Sequence, residues 1–406
     1  MSGERHTSPD TCQCSDLNQL PYPYNAGMSP AKAAASQLPL IAAVCIGSGL
    51  AHVGTSTMPF QIGALVDGSH RSASQAGFFG FFEVAALAGS MILISAWIDR
   101  VPPRRLALAG CALAAIGNIG LFLLHPFYLQ LALAVLCGSG YGLVFAATIA
   151  GAAATSQPDR LYAIGNGGAL LLIVGILSVL PAAAARFGSL GMFVALAALA
   201  VVCAPFFLGF KQGKRLPQTR LAAWRTPGAP GLLFAWAAYS AGAGGLYAFS
   251  ERIGKSINLP PEQIALVLST GVFVGLLGTG AGAILGRNVN RPVALIVGIS
   301  GSGLSCLLTG FATNLLLFAA GVMAYWVFTM FLYSYLLGSA AILDDTGRVG
   351  TLGGGLERLG YAVGTATAGV LADHVSYSAT GVLGFVGCAL GLFIGFPSLF
   401  RALAAK

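Results

Sequence analysis

After a polar stretch of 37 residues the chain alternates apolar runs with short polar connections, at about 38–63, 76–98, 106–124, 129–154, 162–185, 190–210, 232–248, 264–286, 293–311, 315–343, 349–372 and 380–400. Each run approaches the roughly 20 residues that cross about 30 Å of hydrocarbon as a helix rising 1.5 Å per residue. Hydrocarbon offers no partner to backbone N–H and C=O groups, so a crossing run has to satisfy its own, as a helix does. The pattern predicts an all-α membrane protein with twelve transmembrane helices. Residues 1–37 are rich in Pro and Ser and lack a basic segment followed by an apolar core. They are expected to form a disordered cytoplasmic tail rather than a cleaved signal peptide.

The longest internal polar connection, 211–231, divides the helices six and six. The expected domains are therefore an N-terminal bundle at 38–210, a cytoplasmic linker, and a C-terminal bundle at 232–406. The two halves echo each other. "DRLYAIGNGG" at Asp159 aligns with "GRVGTLGGGL" at Gly347, and "DRVPPRR" at Asp99 aligns with "GRNVNRP" at Gly286, at offsets of 188 and 187. Such paired repeats predict two six-helix bundles related by pseudo-two-fold symmetry around a shared central site, the construction of many secondary transporters.

Composition agrees. Only 8% of the 406 residues are charged, against roughly a quarter in soluble domains. The net charge of +8 is no nucleic-acid footprint, because the cations sit in connections between apolar runs. With the N-terminus inside, the inner segments hold 16 Lys and Arg and the outer ones only Arg71, Arg186, Arg252 and Lys255; Arg358 lies within a run. This asymmetry predicts both termini in the cytoplasm and an inner (cytoplasmic) membrane location. Six of the eight cysteines lie in apolar runs, where thiols behave as small hydrophobes. Cys12 and Cys14 cannot complete a tetrahedral shell, so neither metal nor cofactor is expected.

The connection after the second run reads "SAWIDRVPPRR". With the six-plus-six layout it resembles the major facilitator superfamily, whose loop between helices 2 and 3 follows G-x-x-x-D-R-x-G-R-R. Asp99, Arg100, Arg104 and Arg105 match; Ser95, Pro102 and Pro103 depart. The resemblance, over about 38–400, implies that this cluster gates the cytoplasmic side and that helices 1, 4, 7 and 10 line a cavity. Helix 4 lacks the Arg, and helix 5 the Gly-Pro-rich motif, of proton-coupled drug antiporters, so drug efflux is the alternative rather than the leading reading.

Ionisable residues within spans are costly and point to function. They are Glu83, Glu357 and Arg358. Glu83 and Glu357 are candidate proton-coupling residues. Arg358 shares a helical stripe with Thr351, Thr365 and, nearby, Tyr361, and lies about 13 Å from the start of its run, near the midplane. It is the candidate contact for an anionic substrate group. His52, Thr55, Ser56 and Pro59 share one face of helix 1, and Tyr141, Tyr239 and Tyr325 add aromatic groups on helices 4, 7 and 10. The implied protein is a secondary transporter of a small organic solute, an organic acid or aromatic compound, coupled to protons and monomeric. A membrane-embedded enzyme is the alternative from another class, but the spans carry no P-loop, H-x-x-x-H cluster or metal-spaced acid pair.

Overall fold

The structure, a computed structural model, describes residues 30–95, 97, 100–153, 158–210, 223–285, 289–344 and 348–404. Most of the predicted tail, Asp99 of the predicted gate and residues 211–222 of the predicted linker lie outside the described residues. The chain divides into a short unit, 1–38, and a main unit, 39–406. The short unit holds the first turns of α1.

The helices are α1 (Pro30–Ser56), α2 (Met58–Gly68), α3 (Ala73–Ser95), α4 (Pro103–Leu123), α5 (Phe127–Ala153), α6 (Pro158–Phe187), α7 (Gly191–Cys203), α8 (Ala229–Ala248), α9 (Ser250–Ser256), α10 (Pro261–Leu285), α11 (Arg291–Gly310), α12 (Leu315–Leu343), α13 (Arg348–His374), α14 (Ser378–Leu390) and α15 (Phe396–Ala404). Ten spans are long and apolar enough to cross a membrane, and α8 with α9, bent by 42°, makes an eleventh. The twelfth is α13, less apolar because it carries Glu357, Arg358 and a run of glycines. Alternate connections fall at opposite ends of the bundle. One end carries Arg104 and the other Asp67.

Two seams join the halves, α3 against α13 and α6 against α10. These are the second span against the eleventh and the fifth against the eighth. Exchanging the halves converts one seam into the other, as pseudo-two-fold symmetry requires. Outward-facing side chains such as Leu93, Leu171, Leu277 and Phe393 are apolar and exposed, the surface a lipid environment asks for.

The structure departs from the hydrophobic pattern at two places, and both matter. The first span, continuous in apolarity, breaks at Thr57. Pro59 has no N–H and cannot bond to the carbonyl four residues back. The seventh span does not end at Ala248 but bends and continues as α9, carrying Glu251, Arg252 and Lys255. Arg252, expected in an outer loop, is instead buried, at 5% exposure.

Candidate functional site

The break in the first span sets the geometry of the centre. Pro59 leaves the Thr55 carbonyl without its helical donor, and the Phe60 N–H turns to Thr57 O at 3.0 Å, which frees Ser56 O as well. Both carbonyls accept hydroxyls from the other half: Tyr361 of α13 donates to Thr55 O at 3.1 Å, and Tyr247 of α8 donates to Ser56 O at 2.9 Å. A third carbonyl, Gly54 O, accepts from the Gln61 side chain at 3.1 Å. A sequence-encoded defect thus becomes the point at which the two halves hydrogen-bond through the core. Tyr325 stacks on Tyr247 with centroids 5.7 Å apart, and Trp326 meets both rings edge-on.

On the Arg104 side of these tyrosines lies Arg358, one turn before Tyr361 and buried, at 8% exposure. Its Nη1 donates to Thr55 Oγ1 at 3.2 Å, and that hydroxyl donates to His52 O at 3.1 Å. His52 Nδ1 lies 2.8 Å from Ser48 O. A carbonyl can only accept, so Nδ1 carries the hydrogen and Nε2 is left to face outward from the helix. The His52 ring meets Phe145 edge-on at 5.2 Å. Among the described residues no carboxylate lies within ion-pair distance of Arg358; the ion pairs present are those of Arg252 and Lys255. A Cβ added at Gly354, one turn toward the Arg104 end on the Arg358 face, would meet no atom within 4 Å. That face of α13 is therefore open one turn from Arg358.

Glu83 sits behind the first span, at 1% exposure. Its Oε1 accepts from Gln61 Nε2 at 3.4 Å, and Oε2 has no partner. Glycine makes room for it twice. A Cβ at Gly54 would lie 2.5 Å from Glu83 Oε1, and one at Gly138 of α5 would lie against the Glu83 backbone carbonyl.

The structure thus gathers His52, Thr55, Ser56, Arg358 and Tyr361, with Tyr325 joined through Tyr247. Tyr239 of α8 lies within electrostatic reach of both Tyr325 and Glu357. Tyr141 packs inside the first half, accepting from Asn118 at 3.0 Å, and does not join the Arg358 cluster. Arg100, Arg104 and Arg105 are exposed at one end of the bundle. Sequence reasoning missed the roles of Gln61 and Tyr247. The nearest signal was Pro59, whose missing N–H announces unsatisfied carbonyls.

It also missed a clasp at the opposite end. Arg252 grips Asp67 with two hydrogen bonds, at 2.9 and 2.8 Å, and donates two more to Glu251. Lys255 adds a second cation to Asp67. Beside it, Asp373 at the end of α13 caps α3, accepting from Ala73 N at 2.8 Å and Ser74 N at 2.7 Å. A carboxylate at a helix N-terminus satisfies orphan donors and meets the positive end of the helix dipole. Burial raises the Asp67 carboxyl, but its bonds from Arg252 and Lys255 outweigh this and hold it below the ordinary carboxylate range. For Asp373 burial is likewise outweighed, here by the Ser74 and Ala73 donors.

A twelve-span bundle with ionisable groups at its centre and cross-half contacts concentrated toward one end is built as a membrane transporter. The chain belongs to the Major Facilitator Superfamily, whose family profile matches residues 44–356. Membership in a transporter family sets aside the reading as an enzyme. Among solved structures, the chain is similar to a D-xylose-proton symporter (TM-score 0.71, 14% identity, covering 89% of this chain and 98% of that one). It is also similar to a bacterial homologue of the human lysosomal transporter Spinster, in an inward-facing and unoccupied conformation (TM-score 0.67, 15% identity, covering 93% and 96%). No curated protein sequence matches the chain.

Proposed function

We propose that this transporter carries a small organic acid together with protons, by alternating access, across an inner membrane with both chain termini in the cytoplasm. The observation that carries the reading is Arg358, a buried cation near mid-span that has a hydroxyl partner, no carboxylate in ion-pair contact among the described residues, and an open helix face one turn away at Gly354. A charge held there is costly, and a substrate carboxylate would compensate it with the paired hydrogen bonds a guanidinium favours. Glu83, enclosed and half-satisfied, is the candidate proton carrier. The likeness to a proton symporter supports coupling of this kind. The test is uptake into proteoliposomes: labelled organic acids should accumulate under an inward proton gradient, and a neutral amide analogue should not. Accumulation indifferent to the gradient would overturn the coupling, and preference for the amide would overturn the substrate class.

With the basic Arg104 end inside, the clasp of Asp67, Arg252 and Lys255 closes the outer side. Asp67 is about a third exposed, so its pairing is discounted for solvent to about 1–2 kcal/mol, roughly tenfold in a conformational equilibrium. Asp67→Asn should raise the outward-open population by about that factor, read as a longer spin-label distance between positions 70 and 258. Acid should act in the same direction. The groups facing one another here are Asp67, Glu251, Arg252, Lys255, Asp373 and Tyr377. Because the Asp67 and Asp373 carboxyls are depressed, their contribution is complete above the ordinary value near 4 and is lost as pH falls through the depressed values. A label distance unmoved by both Asp67→Asn and acidification would leave the clasp with no part in closure.

A further inference from the structure

The centre holds two opposite charges that lie within electrostatic reach of each other but form no ion pair. Arg358 reaches the first span, while Glu357, its neighbour in sequence, points about 100° away around α13. Ser240 of α8 donates to the Glu357 backbone carbonyl at 2.7 Å, which fixes that face of α13 against α8. The Glu357 side chain lies within electrostatic reach of Tyr239 on α8 and Tyr333 on α12. Tyr333 is also within reach of Arg358, so one ring borders both charges. Among the described residues the Glu357 carboxylate makes no ion pair with Arg358 or any other cation, and no hydrogen bond to its carboxylate oxygens is found.

The surroundings of the two charges differ. Arg358 has His52 and the Thr55 hydroxyl for company, on the first span. Glu357 has aromatic walls. Trp236 meets Tyr333 edge-on at 5.6 Å and packs where a Cβ of Gly353, one turn before Glu357, would lie. A carboxylate within reach of two tyrosine rings, one of them backed by Trp236, is a site for an organic cation, held by charge and by the negative faces of the rings. A simple acid would compensate Arg358 and leave Glu357 repelling it. A simple amine would do the reverse.

We infer that the transported solute is amphoteric, an amino acid or a compound of that build, with its carboxylate on Arg358 and its ammonium on Glu357 between Tyr239 and Tyr333. The inference rests on the reading of Arg358 as the acid anchor and adds the second contact. Its consequence is a preference that neither charge alone produces. Each charge, lacking an ion-pair partner, is compensated most fully when the ligand supplies both partners a few ångströms apart.

The experiment uses matched triplets of ligands: an amino acid, its deaminated acid and its decarboxylated amine, over aliphatic, hydroxylated and aromatic side chains. Binding to the purified full chain is followed by calorimetry. The tightest-binding amino acid should bind at least tenfold more tightly than its acid or its amine. Glu357→Gln should reduce it to the level of its deaminated acid, Arg358→Gln to the level of its amine, and Glu357→Asp should recover part of the loss. Variants are compared only after they elute as a single species in detergent. Acids that bind as well as their amino acids, with Glu357→Gln without effect on the ratio, would overturn the amphoteric reading and leave organic-acid transport standing. Amines that bind best would overturn both. A set in which no amino acid binds more tightly than its partners likewise overturns it.

Discussion

Arg358→Gln is expected to abolish concentrative uptake of the acid substrate, with a loss of affinity of about a hundredfold. The magnitude follows from the setting: removing one partner of a buried charged pair costs about 3–5 kcal/mol, which is roughly two to four decades, and the lower figure applies because the helix face one turn from Arg358 is open at Gly354. Arg358→Lys should fall between the two. It keeps the charge but loses the planar fork that binds a carboxylate through two parallel hydrogen bonds. The comparison that decides is the acid against its neutral amide. Wild type should prefer the acid strongly, and the Gln variant should bind the two alike because only the acid's affinity has collapsed. If Gln weakens acid and amide by the same factor, the guanidinium serves the Thr55 contact between the halves and not the substrate.

Much of this frame was legible before any coordinates. Apolar runs of about twenty residues force helices because hydrocarbon cannot satisfy a backbone, and the near-equal offsets of the Arg-bearing repeats gave the two halves. The stripe of Arg358 and Tyr361 on α13, and of Thr55 with His52 on the first span, followed from helical periodicity. That these two stripes meet did not, since contact between residues some 300 apart depends on how α13 packs against the other half. The break at Thr57 was hidden because hydrophobicity is blind to hydrogen bonding. Proline spoils one N–H without making the run less apolar, and the freed carbonyls matter only because Tyr361 and Tyr247 arrive from the other half. Arg252 was misplaced for a related reason. The segment ERIGK is polar and reads as a loop, yet a bend of 42° folds it over Gly63 and Asp67, where partners from the other half bury it. Tyr141 had the right residue type on the right helix, but its hydroxyl is taken by Asn118, and nothing local to its own sequence reveals that.

Glu83→Gln is the second large effect expected: accumulation driven by a proton gradient should fall at least about tenfold, while exchange of labelled for unlabelled substrate across the membrane persists. Gln reproduces the shape of the protonated acid and cannot release a proton, so it fixes the site in one protonation state while the loaded carrier can still alternate. The route from this group to the broken turn of the first span is short and made of hydrogen bonds. Glu83 Oε1 accepts from Gln61, Gln61 donates to Gly54 O, and the next two carbonyls, of Thr55 and Ser56, hold Tyr361 and Tyr247 of the other half. Loss or gain of a proton at Glu83 changes what Gln61 must satisfy, and with it the stability of the broken turn on which the halves are joined. Glu83 alone would be a buried acid like many others; its place one side chain from that turn is what supports the proposal that it couples protons to transport. Glu83→Asp keeps a titratable group and should retain part of the gradient-driven uptake, which separates a proton-carrying role from a packing one. Loss of exchange together with accumulation in a well-expressed Glu83→Gln protein would mean that the carboxyl only braces α3 against the first span. Gradient-driven uptake at the wild-type level would place the coupling proton elsewhere.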